Sequence, residues 1–268
     1  MDEHVREIEA ALVGHWSHLG RWSSGALVDE VGVLRYETPI PQLPYNGVLR
    51  TNIPAADPSV VVKDVAESFQ RRGVPFLWWQ HPSCTPRDLG SHLEAQGLVL
   101  AELVTGMSID LATWVRPELP AGVRFVEVLD ERGMEDYADL IVRYWELPPE
   151  SQTMVAALNR FWGPGHIPAH RWVAYSGARP VGKALLSLTA PAGVAAVYGM
   201  SVTPDARGRG IAGGLTTVLL EQARRLGCRK VVLHSSDMAV EVYRRAGFVE
   251  RCAMAVFATG PIWSGSNH

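Results

Sequence analysis

Cysteine is scarce. Cys84, Cys228 and Cys252 are the only three in 268 residues, widely spaced and without a CxxC pair. That pattern supports neither a disulfide framework nor a zinc site, and no metal is expected. A basic excess is also missing. Lys and Arg number 25 against 28 Asp and Glu, a net charge of −3, where a protein that lives on phosphate contacts usually shows a positive surplus. Nucleic acid is therefore not an expected partner. Long apolar runs are absent too. Stretches such as Val194 to Tyr198 and Ala253 to Ala258 are far too short to span a bilayer, so no membrane partner is expected. The opening Met1-Asp2-Glu3-His4 is acidic and has none of the basic, apolar and small-residue order of a secretory leader. The expectation is a cytoplasmic protein.

Core material is ample. Hydrophobic residues make up 47% of the chain, which excludes disorder as the main state. The length suits one large domain or two ordinary ones. Nine tryptophans are the one unusual count, read first as packing residues.

Patterning divides the chain. Residues 3–19 read as an amphipathic helix, 33–38 and 46–53 as strands, 58–72 as a helix, 74–80 as a strand, 86–96 as a helix and 98–111 as a strand. The Pro- and Gly-containing stretch 114–122 breaks regular structure. A second series follows: strand 123–128, helices 131–145 and 150–162, strands 171–175, 181–189 and 193–202, helix 211–226, strand 231–233, helix 237–246 and strand 248–257. Both series end as strand, helix with terminal Gly, strand, helix with terminal Gly, strand. Arg71-Arg72-Gly73 parallels Arg225-Leu226-Gly227, and Ala95-Gln96-Gly97-Leu98 parallels Arg245-Ala246-Gly247-Phe248. The reading is an internal duplication in an α/β (α+β) chain, with a first domain at 1–115, a linker at 116–122 and a second domain at 123–268.

One stretch carries chemistry. Thr203-Pro204-Asp205-Ala206-Arg207-Gly208-Arg209-Gly210-Ile211-Ala212-Gly213-Gly214 joins a strand to a helix. Its glycines let backbone N–H groups crowd toward one point, and the helix N-terminus adds partial positive charge. Together they make a phosphate or pyrophosphate site, with Arg207 and Arg209 able to add charge. Gly208-x-Gly210-x-x-Gly213 also satisfies the dinucleotide fingerprint literally. That fingerprint wants its first Gly directly after the strand and an acidic residue closing the next one. Here five residues intervene, and His234 stands at the end of the next strand.

The stretch Val202-x-Pro204-x-x-Arg207-Gly208-Arg209-Gly210-Ile211-Ala212 resembles the acyl-CoA-binding motif of the GNAT superfamily of CoA-dependent N-acyltransferases, Arg/Gln-x-x-Gly-x-Gly/Ala. A second GNAT signature, Ala-x-x-x-Tyr-x-x-x-Gly-Phe, is matched by Ala239, Tyr243, Gly247 and Phe248. The resemblance covers 123–258. It implies two GNAT-like domains, each a mixed twisted sheet flanked by helices, with acetyl-CoA as co-substrate and an amine as acceptor. It implies that backbone groups of Met200, Ser201 and Val202 bond the pantetheine amides. It implies as well that amides from Arg207 through Gly208, Arg209, Gly210 and Ile211 to Ala212 hold the pyrophosphate and that Ser236 supplies a further cofactor contact. It also implies that Tyr243 protonates the leaving thiolate.

The chain departs from the family in one respect. Many members carry a Glu on the strand before the loop, whereas Val194-Ala195-Ala196-Val197-Tyr198-Gly199-Met200 has no carboxylate. Glu146, His166, His170 and His234 are candidate substitutes as base. Tyr144, Trp145, Phe161 and Trp162 are read as core or as an aromatic wall for the acceptor. Alignment of the two series sets Asp57 against Arg207, Val60 against Gly210 and Leu93 against Tyr243. The first half thus reads as a degenerate copy. The reading is an N-acetyltransferase for a primary amine of a small molecule or peptide. A larger acyl-CoA, or a non-catalytic acyl-CoA-binding sensor, is the alternative, and homodimer formation stays open.

Overall fold

The computed structural model describes residues 2–30, 32–54, 57–161 and 168–260, without the side chains of Trp145, Glu150, Arg160 and Phe161. His166 and Trp162, named above, lie outside the described residues, as do the side chains of Trp145 and Phe161. In chain order the first series is α1 (Glu3–Gly20), β1 (Ala26–Glu30), β2 (Val33–Glu37), β3 (Gly47–Thr51), α2 (Pro58–Arg71), β4 (Leu77–Gln80), α3 (Leu89–Ala95) and β5 (Val99–Asp110). The second is β6 (Arg124–Glu127), α4 (Glu131–Trp145), α5 (Pro149–Phe161), β7 (Ala169–Ser176), β8 (Arg179–Ser187), β9 (Val194–Val202), a 3-10 turn (Pro204–Ala206), α6 (Ile211–Arg225), β10 (Lys230–Ser236), α7 (Asp237–Arg245) and β11 (Val249–Ala258). Strand β1 is an addition to the sequence reading. Its side chains are half-exposed or exposed, so it lacks the apolar alternation that marks a strand.

Two compact units result, and neither is one continuous stretch of chain. Among the described residues, one comprises 2–11 and Gly106–Arg251, and the other comprises Leu12–Thr105 with 252–260. In the first unit the strand order is β5-β10-β9-β8-β7-β6, and in the second β1-β2-β3-β4-β11. The second part of β5 therefore belongs with the strands of the later series. The second part of β11 belongs with the earlier ones, where Ala255 to Ala258 pair antiparallel with β4.

In the first unit, helix α6 covers one sheet face. Ile211, Leu215, Leu219 and Ala223 recur every four residues and are fully or almost fully buried. A core Leu or Ile of this kind contributes about 1.5–3 kcal/mol. A Cβ on Gly182 of β8 would lie 3.3 Å from Ile211 Cγ2, so that sheet position points at α6. Its neighbour Lys183 therefore points to the opposite face, where α4 packs on β7 and β8. Asp130 starts α4 by accepting the Gly133 N–H at 2.8 Å. The helix ends at Glu146 in the left-handed region, φ 48°.

The N-terminal helix is tied to this unit by charge. Glu7, buried, pairs with Lys230, also buried, and with the half-exposed Arg229. Burial alone would raise the Glu7 carboxyl, but bonds from Lys230 and Arg229 outweigh it and hold it below the usual carboxylate value. Removing the carboxylate leaves the Lys230 ammonium buried without its counter-charge. Glu7→Ala is expected to cost about 3–5 kcal/mol. Because the folded-state value is depressed, the wild-type contribution is full above the ordinary Glu range. It is lost as pH falls through the lower folded value. Thermal melts of both proteins from pH 7 down to pH 3 should converge, and a constant gap would contradict the pairing.

Candidate active site

The site begins with a bulge. Strands β8 and β9 pair with Leu185 opposite Tyr198 and Lys183 opposite Ser201, so three steps along β9 face two along β8. The extra residue falls at Gly199, whose φ is 58°. Glycine adopts that conformation without a Cβ penalty, and a bulge there bends the strand. Beside it, β9 and β10 pair in parallel only from Val194–Lys230 to Val197–Leu233. Both strands then continue, β9 to Val202 and β10 to Ser236. The two strands part at the bulge, leaving the edge of β9 from Tyr198 onward without a strand partner on that side.

The open edge leads into the Gly-rich loop. Ala206, fully buried, anchors the 3-10 turn after Thr203. Gly208 and Gly210 follow with φ of 74° and 75°, and Gly210 caps α6 in the left-handed conformation with no side-chain cap bond. The Gly214 N–H is bonded to the Gly210 carbonyl at 2.9 Å, whereas the amides of residues 208–213 donate to no backbone carbonyl. They are the orphan donors of a helix N-terminus, gathered on one loop. A Cβ on Gly208 or Gly213 would meet nothing within 4 Å, so the surface is open at those two positions, while Pro120 lies 3.5 Å from a Cβ on Gly210. Arg207 Nε donates to the Val202 carbonyl at 3.4 Å and Arg209 Nη2 to Ser176 Oγ at 3.1 Å, both at the surface. This donor set fits a pyrophosphate: a run of N–H groups on one loop and two nearby cations, while the one carboxylate just before them, Asp205, is paired with Arg179.

The other sequence candidates fall in several places. Met200 and Val202 are half-buried and Ser201 buried on the open stretch of β9. Ile211 is a core residue that offers only its amide, and Ala212 follows it in the first turn of α6. Ser236 sits at the N-cap of α7 on the parted end of β10. Tyr243 is buried on α7, its ring edge-on to Phe248 at 5.8 Å. Burial first, and the neighbouring Tyr144 second, push its phenol above the ordinary value. His234 is half-buried on the parted segment of β10, stacked on Tyr198 at 5.9 Å. Glu146 is exposed at the end of α4. His170 bonds Glu127 at 2.6 Å and lies 3.4 Å from Gln222 of α6, on the sheet face away from α4. Its ring is engaged there.

Three residues were missed by the sequence reading. Lys183 is buried and donates to the Gly199 carbonyl at 2.7 Å, and burial brings its ammonium down to about 7. Arg171 is buried on β7. Both cations flank the ring of Tyr137 on α4, with Nζ 5.3 Å and Cζ 5.8 Å from its centroid. Burial pushes the Tyr137 phenol up to about 12. Nothing in the spacing of these residues sets them apart from ordinary strand positions. The one available signal was a Lys and an Arg inside otherwise apolar strands. Among the described residues, no three His, Cys, Asp or Glu side chains gather into a metal site, and no helix is long and apolar enough to cross a membrane.

Comparison with known proteins agrees with this geometry. Residues 134–248 match the model of the acetyltransferase (GNAT) family. The mycothiol acetyltransferase of Cellulomonas flavigena is 27% identical over 186 residues, 63% of this chain and 53% of that protein, so the match spans about half the length of that relative. A GCN5-related N-acetyltransferase from Kribbella flavida has the same fold, with a TM-score of 0.68 at 18% identity over 93% of this chain and 95% of its own. A tandem GNAT protein from the clavulanic acid biosynthesis pathway aligns over 97% of this chain and 96% of its own, with a TM-score of 0.63 at 15% identity. The two GNAT-like domains expected from the sequence are thus the fold found. The bulge, the parted strands and the amide-lined loop all lie inside residues 134–248, the segment that matches the acetyltransferase (GNAT) family.

Proposed function

We propose that this chain transfers an acetyl group from acetyl-CoA to a primary amine, using the second half alone. The observation that carries the reading is the open edge of β9 running into a loop whose amides at 208–213 have no backbone acceptor. An extended pantetheine arm with two amides is the natural partner of a vacant strand edge, and a pyrophosphate is the natural partner of the loop. The thioester supplies the acetyl group. Backbone groups of Met200, Ser201 and Val202 hold the arm, and the amides from Arg207 to Ala212 hold the pyrophosphate. The Ser236 hydroxyl adds a contact from β10. Tyr243 keeps its proton at neutral pH, as burial requires, and gives it to the departing thiolate. We assign amine deprotonation to His234, which stands where the strands have parted, rather than to Glu146 at the exposed end of α4. An acetyl group is the acyl unit proposed, and a binder without turnover is the competing reading.

The first half lacks the means for the same chemistry. At the matching helix N-terminus, Asp57 caps α2 with its own carboxylate, accepting the Val60 N–H at 3.4 Å, and Pro58 removes a donor. A carboxylate there opposes a pyrophosphate. Leu93, aligned with Tyr243, is fully buried and has no proton to give.

Two substitutions test the proposal. Gly210→Glu sets a side chain and a negative charge over the loop amides. Calorimetry should then detect no acetyl-CoA binding while the melting profile stays cooperative; unchanged affinity would remove the loop from the site. Tyr243→Phe keeps the packing and removes the proton. In a thiol-release assay with acetyl-CoA and an amine panel, turnover should fall by roughly 10²–10⁴-fold with CoA affinity unchanged. Wild-type turnover would leave Tyr243 a packing residue, and no thiol release from any amine by the wild-type protein would favour the binder.

A further inference from the structure

Arg171 is a buried guanidinium with two unbonded nitrogens among the described residues. Its relative exposure is 3%, and its Nε and Nη2 atoms, both out of contact with solvent, have no hydrogen-bond partner. Its one contact of note is the face of Tyr137, which attracts the charge but accepts neither N–H. No carboxylate pairs with Arg171 or with Lys183 among the described residues. A guanidinium does not escape by losing its proton, so an unpaired one inside a protein is a standing cost. The two empty donors share one edge of the fork. Nε–H and Nη2–H run parallel there, the spacing that a carboxylate accepts side-on with both oxygens.

The position matters as much as the vacancy. Arg171 lies opposite Leu185 on β8, and Leu185 lies opposite Tyr198 on β9. Residues opposite one another across paired strands share a sheet face. Arg171 therefore lies in the same row as Tyr198, two strands or about 9–10 Å away. Tyr198 is the first residue of β9 past its pairing with β10, and His234 stacks on it. The row runs from the empty guanidinium to the mouth of the parted strands, on the α4 face and not the α6 face. Among the described residues, groups facing it are Tyr137 from α4, Lys183 from β8, Tyr198 and the Gly199 carbonyl from β9 and His234 from β10, and none of these is an acid.

We propose that Arg171 receives a carboxylate carried by the amine acceptor, so that the substrate class is an amino acid or an amine with a carboxylate at similar reach. This rests on the acetyltransferase reading above and adds to it the identity of the second substrate. The carboxylate takes the Nε/Nη2 edge with both oxygens, and the amine is left toward β9. Desolvation, which already presses the Arg171 pKa below its ordinary value, is relieved when the carboxylate arrives.

The test compares L-amino acids with their carboxamides and with alkylamines of matched length in the thiol-release assay. The wild-type protein should favour the best acid over its own amide by about 10–100-fold in kcat/KM. Arg171→Gln should bring that ratio close to one and leave acetyl-CoA affinity unchanged. Equal use of acid and amide by the wild type, or turnover confined to amines without a carboxylate, overturns the proposal. Stability supplies a readout that needs no turnover. Arg171→Met removes an unpaired buried charge and should raise the Tm of the free protein by a few degrees. A fall in Tm would mean the fold itself uses the guanidinium, which also overturns the proposal. N-acetylglycine should raise the Tm of wild type and not of Arg171→Gln. If that shift appears while no amine releases thiol, the carboxylate site stands and the acetyltransferase reading fails. If thiol is released with equal use of acid and amide, the reverse holds.

Discussion

A strand can bend away from a neighbour only where its backbone permits the bend, and here that place is Gly199. Its positive φ absorbs one extra residue on β9, and Lys183 holds its carbonyl from β8. Up to Val197 the parallel ladder with β10 is intact; past it the ladder stops. Every other part of the site follows from that interruption. The unpaired edge of β9 needs a partner with the hydrogen-bonding pattern of a strand. His234 and Ser236 stand on the parted β10, and the Gly-rich loop follows at the end of β9. A regular strand through Gly199 would continue the ladder and fill the site with the protein's own backbone.

The helix that follows meets the same economy of donors. Any α-helix leaves its first amides without partners, and most helices satisfy them with a side chain. In this chain both solutions appear. Helix α2 is capped by Asp57 and is complete by itself. Helix α6 is capped by Gly210, which has no side chain to offer, and its first amides are left for an outside acceptor in the function proposed above. One helix N-terminus thus carries a side-chain cap bond and the other does not. The two ends differ in the cap, Asp57 against Gly210, in Pro58 at the start of α2, and in Gly208 and Gly213, over which no atom lies within 4 Å of a Cβ.

Much of this was legible in the sequence. Helix α4 falls on 131–145 as patterning predicts, and the other helices and strands expected from period and terminal glycines are present. The loop was legible because its chemistry is local: glycines, a strand before and a helix after. Strand β1 was not, because exposed side chains give no alternation. The assignment of β5 and β11 to units was not, because alternation says which face is buried and not which strand lies alongside. The Gly199 bulge was hidden for a related reason. A bulge is a register difference between two strands, and a single strand carries no trace of its partner's count. Arg171, Lys183 and Tyr137 escaped notice because they are far apart in the chain, and only the packing of α4 on β7 and β8 brings them around one ring.

Amide hydrogen exchange with and without acetyl-CoA reads the vacant donors themselves. The account predicts that acetyl-CoA slows exchange in peptides covering 198–202 and 207–213, where the open edge and the helix end without a side-chain cap bond lie. Exchange over 57–62, where Asp57 already fills the helix end, should stay unchanged. Protection at 57–62, or none at 198–202 and 207–213 at saturating acetyl-CoA, would contradict it.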